Sequence, residues 1–304
     1  MATMNHDHDG NRIRPATGVV GQRRAAPANA HSEFERLRNA VKQEANIGNQ
    51  GLLMYGAERA VARIAAAPIG EHLVLKGGFL LREILPPGVR RTTTDADFFA
   101  NGISRETAVA GIVAALANPH ADDHVVFDPS SVRSEEMQED KGLRISYRGS
   151  LGSSEIVGSI DIGSHAAVVP APDLRMLTPM LEHAEPIRVQ AYPLPVIVAE
   201  KYETVVARDL ANTRLKDFYD LAALARLGTI SPEAIRTALT ATCELRGTVV
   251  TPERPPALTP VYSTDAARCA SWNRLSSKGS ACKNQSLESV CDEIWAWMGP
   301  ILRG

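Results

Sequence analysis

Leu73-Val74-Leu75-Lys76-Gly77-Gly78-Phe79, followed by Asp95-Ala96-Asp97-Phe98-Phe99, is the stretch that decides how this chain folds. An apolar run that closes on two glycines and resumes as Phe79 through Leu85 reads as strand, turn and helix, with Pro86-Pro87-Gly88 as the stop. On an extended backbone Asp95 and Asp97 share one face while Ala96 and Phe98 take the other, so the two carboxylates converge. Like charges drawn inward beside Phe98 and Phe99 are costly unless a cation neutralises them; an ordinary acidic turn would show the same tripeptide. The glycines would let a phosphate reach backbone N–H groups at a helix N-terminus. They would equally serve a plain turn, because the run is neither a P-loop nor G-x-G-x-x-G. Arg90, Arg91, Thr92, Thr93 and Thr94 set cations and hydroxyls beside the acids, which suits phosphate contact or a solvated loop.

On the N-terminal side, Phe34, Leu37 and Val41 recur at helical spacing from Ser32 onward, and Leu52 to Ala67 reads as a second amphipathic helix ended by Pro68. Residues 1–30, rich in Gly, Ala, Asn, Pro and Arg, read as a flexible tail, and His6 and His8 within it as solvated side chains without a role. On the C-terminal side a helix is expected at 104–117. Strands are expected at Val125-Val126-Phe127, Leu143 to Tyr147, Ile156 to Ile162 and Arg188 to Tyr192, with 128–142 as a polar, turn-rich connection.

A second informative run follows, Ala199-Glu200-Lys201 and then Asn212-Thr213-Arg214-Leu215-Lys216-Asp217-Phe218-Tyr219-Asp220. Pro195 opens a helix to about Arg208, and Asn212 or Thr213 can cap another that ends at Gly228. On the latter, Leu215, Phe218, Ala222 and Ala225 form one stripe, while Lys216, Asp217 and Asp220 share an arc of about 100°. Taken alone, Lys201 is a surface lysine, and Lys216 with Asp220 is an i, i+4 ion pair worth only ~0.3–0.5 kcal/mol. Residues 247–265 carry four prolines and read as loop, 276–285 are polar, and Leu287 to Met298 reads as a helix anchored by Val290, Ile294, Trp295 and Trp297.

A chain of 304 residues can bury a sizeable core without disulfides or a structural metal. No apolar stretch approaches the ~20 residues that cross a bilayer, and the N-terminus lacks a signal pattern, so a cytoplasmic protein without membrane association is expected. Cys243, Cys269, Cys282 and Cys291 show no C-x-x-C spacing and read as free thiols. A net charge of −2 argues against a sequence-independent coat on duplex DNA but not against local nucleic-acid contact.

In order along the chain, Lys76-Gly77-Gly78-x-x-Leu81, Thr94-Asp95-x-Asp97-Phe98, Ala199-Glu200-Lys201 and Arg214-x-Lys216-Asp217-x-x-Asp220-Leu221 resemble the four motifs of the AbiEii-type nucleotidyltransferase toxins, a branch of the polymerase-β-like superfamily. The resemblance covers roughly residues 70–228, with Phe79 standing where Thr or Ser is common and Ala96 where a larger apolar residue is usual. It implies an α+β fold: a small mixed sheet flanked by helices, with a helical C-terminal part. The expected organisation is a tail at 1–30, a nucleotidyltransferase domain with N-terminal helices at 31–190 and a mainly helical domain at 191–304.

By the same resemblance Asp95 and Asp97 would hold Mg²⁺ in a two-metal site, with Asp161 as a candidate third carboxylate that could equally cap a loop. Lys76, Gly77, Gly78, Thr94, Lys201 and Arg214 would bind the NTP. Lys201 would grip the triphosphate, and Asp217 would assist at the reacting centre or position Lys201. Function is expected to follow Asp217, and Asp220, by its place on the helix, to pair with Lys216 or to cap a neighbouring loop. The activity implied is transfer of a nucleoside monophosphate from an NTP to RNA, foremost the 3′ end of tRNA, by a toxin that blocks translation and is paired with an antitoxin encoded alongside. Transfer to a small-molecule or protein hydroxyl, and a nucleotide-binding regulator without turnover, are the alternatives; the latter fits poorly with an intact acidic pair.

Overall fold

The computed structural model describes residues 27–43, 50–86, 89–119, 123–137, 142–163, 165–277 and 281–304. Residues 1–26, which hold His6, His8 and most of the expected tail, lie outside them. In chain order the elements are α1 Ala30–Gln43, α2 Gln50–Ala66, β1 Leu73–Lys76, α3 Gly77–Ile84, β2 Ala96–Ala100, α4 Arg105–Ala117, β3 Val125–Glu136, β4 Leu143–Leu151 and β5 Ser154–Gly163. There follow β6 Asp173–Leu177, β7 Ile187–Ala191, α5 Leu194–Arg208, α6 Leu215–Ala225, α7 Pro232–Arg246, α8 Pro260–Ser263, α9 Ala266–Ser276 and α10 Leu287–Arg303. The α+β class expected from the sequence is therefore found: among the described residues the strands form one mixed sheet, ordered β3-β4-β5-β2-β1-β7-β6.

Strand β1 reads as a continuous apolar run because it lies inside the sheet, and Leu73, Val74 and Leu75 are all buried. It runs antiparallel to β2 and parallel to β7, while β2 runs parallel to β5. Its neighbour β2 alternates as the sequence demands, with Ala96, Phe98 and Ala100 buried and Asp97 half-buried on the opposite face. Helix α2 packs on β5 and β7 with α4 beside it, and past β7 the helices α5, α9 and α10 gather around α6, with α7 packed on α5 and α10. Enclosed in this way, α6 buries nearly its whole surface. Phe218 stacks on Tyr262 with ring centroids 5.1 Å apart, and the Tyr219 hydroxyl donates to the Val89 carbonyl and accepts from the Ala281 amide.

Several local expectations give way to tertiary context. Strand β3 runs on to Glu136 through the segment read as turn-rich, with the pairing register shifting between Asp128 and Arg133. Pro129 lacks an N–H donor and is tolerated because β3 is an edge strand with an irregularity at that point. Asn212 does not cap α6. Its side-chain carbonyl accepts from the Arg214 amide at 2.8 Å and so shapes the turn ahead of the helix. The loop expected at 247–265 contains the short helix α8, and α10 continues past Met298 with Pro300 inside it. Val290 and Ile294 are its buried anchors, whereas Trp295 and Trp297 are half-buried at its flank. All four cysteines are free thiols.

Beneath α2 lies an ionic core. Arg59, fully buried, pairs with Glu58 at 2.7 Å, and Arg63 holds Asp123 through two bonds of 3.1 and 2.8 Å while also donating to the Val125 carbonyl. These contacts tie α2 to the start of β3. Asp123→Ala would leave two buried guanidinium groups short of a counter-charge, so urea unfolding should show a loss of about 3 kcal/mol or more. A loss under about 1 kcal/mol would mean that water reaches the cluster.

Candidate active site

A cavity of about 660 Å³ opens where the C-terminal ends of β1 and β5 and the first residues of β2 meet α5, α6, α7 and α9. Strand register sets its floor. Lys76 on β1 lies opposite Asp97 on β2, Asp97 opposite Asp161 on β5, and Asp161 opposite Arg144 on β4. Directly opposed residues of neighbouring strands project to the same face with Cβ atoms about 5 Å apart. Four successive strands thus carry a row of charges in the order plus, minus, minus, plus. Two residues ahead of Asp97 on the same face, Asp95 accepts a 2.9 Å hydrogen bond from the Ser159 hydroxyl.

The two glycines make room for this row. Gly77 has φ +67°, a left-handed conformation that side chains resist, and a Cβ there would stand 2.1 Å from Asp97 Oδ2. A Cβ on Gly78 would stand 2.4 Å from Arg91 Nη2. Gly77 is therefore required by the acid behind it, whereas a side chain at Gly78 would displace the end of Arg91 from its place beside Asp220. Thr93 lines the cavity with Asp95 and Asp97, because alternate residues of the extended segment face it; Thr94, expected at the nucleotide, is off the cavity wall.

The helices bring the cations. Lys201 on α5 reaches Asp217 Oδ1 at 2.7 Å and Asp220 Oδ2 at 2.8 Å. Arg91 grips Asp220 with two bonds of 2.7 and 2.9 Å, and Arg214 Nε reaches Asp217 at 3.2 Å. A chain of alternating charge, Arg91, Asp220, Lys201, Asp217 and Arg214, joins the loop before β2 to α5 and α6. This corrects the expected pairing of Asp220 with Lys216: Asp220 is buried and turned to Arg91 and Lys201, while Lys216 is exposed at the cavity mouth. Burial alone would raise the Asp220 carboxyl, but Arg91 and then Lys201 outweigh it and hold it down at about 2. Burial would lower Lys201, yet Asp217 and Asp220 keep it above the usual lysine range.

Lys76 is held in turn by Glu200, at 2.9 Å, with its ammonium 5.1 Å from the centre of the Tyr192 ring. Glu200 also accepts from the Tyr192 hydroxyl and lies 3.7 Å from Arg246. Glu200 stands within the Ala199-Glu200-Lys201 motif with no local sign of its part, and Arg144, Ser159 and Arg246 lie outside the motifs. The signal for Arg246 was present: Ser231-Pro232 starts α7 and Gly247 ends it.

Burial raises the Asp97 carboxyl above the usual range, Lys76 opposes this, and the facing charge of Asp161 reinforces it. An opposed pair of hard oxygen donors has the chemistry of a divalent-cation site, and all-oxygen donors suit Mg²⁺. Among the described residues no group of three His, Cys, Asp or Glu side chains is drawn together as a metal cluster. Asp95 is engaged by Ser159, and Asp161 by Arg144 through bonds of 2.8 and 2.7 Å.

A cleft with facing acids on its floor and lysines and arginines from the surrounding helices belongs to the class of phosphate-handling proteins. The family model for "Nucleotidyl transferase AbiEii toxin, Type IV TA system" matches residues 59–278, and the chain belongs to that family of nucleotidyltransferase toxins. Among solved structures, MenT4, a nucleotidyltransferase toxin from Mycobacterium tuberculosis, superposes with a TM-score of 0.54 at 16% identity, over 88% of this chain and 92% of that one. JHP933 from Helicobacter pylori gives a TM-score of 0.49 at 16% identity, over 85% of this chain and 94% of that one. At such identity the likeness to MenT4 concerns the fold alone. No curated protein sequence matches the chain. Among the described residues no helix is long and apolar enough to cross a membrane.

Asp220 is depressed in the folded state, so it contributes stability above its ordinary value of 3.8 that is lost as pH falls towards 2. Asp220→Asn should therefore lower stability by about 2 kcal/mol at neutral pH and flatten the acid branch of the stability curve between pH 4 and 2. Urea titrations at a series of pH values decide it; an unchanged acid branch would show that the carboxylate is not held by its two cations.

Proposed function

We propose that the protein transfers a nucleoside monophosphate from an NTP to the 3′ end of RNA, with tRNA as the acceptor, in a Mg²⁺-dependent reaction that blocks translation. The observation that carries this reading is the opposed pair Asp97 and Asp161, with Asp95 and Lys76 beside it, at the base of a cleft whose walls carry Lys201, Arg214 and Arg246. Asp95, Asp97 and Asp161 would hold Mg²⁺, which lowers the barrier to ionising the acceptor hydroxyl and steadies the departing pyrophosphate. In the reaction the RNA 3′ oxygen bonds to the α-phosphorus, the bond from that phosphorus to the bridging oxygen of the β-phosphate breaks, and the hydroxyl proton is released to solvent. Lys201, carried by Asp217 and Asp220, would meet the triphosphate as a fixed point charge. Asp217 lines the cavity and would position Lys201 from the substrate side, whereas Asp220 acts from behind it.

An RNA acceptor is favoured by the rim. Arg144, Arg214, Lys216 and Arg246 surround the opening, and the cleft is open and polar, not a closed apolar pocket suited to a small acceptor. Membership of a type IV toxin family supports an antitoxin encoded alongside as the controlling partner.

Incubation with total tRNA, Mg²⁺ and each labelled NTP in turn should place label on tRNA with at least one nucleotide. Asp97→Asn and Asp95→Ala should each reduce transfer by a factor on the order of a thousand while leaving a folded protein. Full activity in either variant, or label only on a small molecule or on protein, would overturn the reading.

A further inference from the structure

At the outer end of the charge row, Asp161 and Arg144 are bound to each other, a pairing to which the proposed transfer gives no part. Arg144 spends both arms of its guanidinium on Asp161, at 2.8 and 2.7 Å, and so covers both oxygens of that carboxylate. The pair is asymmetric. Asp161 is only 16% exposed and fixed near the end of β5, whereas the Arg144 side chain is 42% exposed at the cavity mouth, so the arginine is the partner free to move. It also has somewhere to go: Glu135 on the edge strand β3 lies directly opposite Arg144 on β4, and it is exposed. Across β5, β4 and β3 the row therefore reads Asp161, Arg144, Glu135, with one guanidinium between two carboxylates.

We propose that Arg144 is a positioning residue that clamps Asp161 in the absence of a divalent cation and swings to Glu135 when the cation arrives. The inference rests on the reading of Asp97 and Asp161 as a cation site. While the clamp is closed, Asp161 has its charge neutralised and its oxygens occupied, so the site resists casual loading by metal. When it opens, the guanidinium stays on the rim, at the mouth of the cleft. Arg144 and a divalent cation are competitors for one carboxylate, and removing the first should favour the second.

The test uses the full chain without nucleotide, with Mn²⁺ as the probe, free Mn²⁺ being followed by electron paramagnetic resonance. Arg144→Gln should bind Mn²⁺ on the order of tenfold more tightly than the parent, as expected for removing one positive charge at cross-strand distance. Arg144→Lys, which keeps the charge and loses the planar fork, should fall between the two. Thermal unfolding should show Arg144→Gln melting below the parent in EDTA and gaining more than the parent from added Mn²⁺. A folded Arg144→Gln variant that binds Mn²⁺ no better than a parent whose binding depends on Asp97 overturns the clamp and leaves the cation site standing. Parent binding that is indifferent to Asp97→Asn overturns the cation site, and the clamp with it.

Discussion

Two carboxylates face each other across adjacent parallel strands, Asp97 on β2 and Asp161 on β5, and the rest of the site is arranged around that repulsion. Like charges directly opposed in a sheet are destabilising and would be removed from a merely structural strand pair. Here they are bracketed by Lys76 on one side and Arg144 on the other, so that the four-stranded row is neutral overall while its centre is strongly negative. The neighbours answer to the same constraint. Gly77 takes a left-handed conformation in which any side chain would collide with Asp97, and Ser159 steadies Asp95 from the strand alongside. The two carboxylates are thus kept together only by a cation at each end of the row, Lys76 facing Asp97 and Arg144 on both oxygens of Asp161.

The helices past β7 contribute the second set of charges. Lys201 would be expensive to hold charged in its half-buried position were it not shared between Asp217 and Asp220, and Asp220 is in turn fixed by Arg91 from the loop that leads into β2. The alternating chain thus connects the element carrying the acids to the helices carrying the cations, and it sets their separation. Buried ion networks of this kind are poor sources of net stability, but each member is costly to remove singly, so the geometry is defended against gradual loss.

Much of this was legible in the sequence where local rules govern. The alternation of Asp95-Ala96-Asp97-Phe98 put the acids on one face, and β2 has that pattern of burial; the glycine pair announced the junction between β1 and α3. What escaped depends on register and on distant partners. Nothing near Arg144 says that it stands opposite Asp161, since that pairing is settled by how β4 and β5 lie together. Asp220 was given to Lys216 by the helical i, i+4 rule, whereas the fold turns it inward to Arg91, 129 residues away, because α6 is enclosed on nearly every side. Strand β3 went unread beyond Phe127 because Pro129 and the serines after it look like a turn, and only its edge position makes them acceptable. Strand β6 and helix α7 are absent from the expected elements, although the alternation of Asp173-Leu174-Arg175-Met176 and the Ser-Pro start of α7 are local signals for them.

The central claim is that Asp97 and Asp161 are opposed in order to share a cation. Anomalous diffraction from crystals grown with Mn²⁺ and a non-hydrolysable NTP analogue tests it most directly. The account predicts a Mn²⁺ peak between the two carboxylates, with the triphosphate on the Lys201 side of the cleft. A cation bound only to the phosphates and remote from both strands, or the two carboxyl groups found sharing a proton with no metal between them, would contradict it.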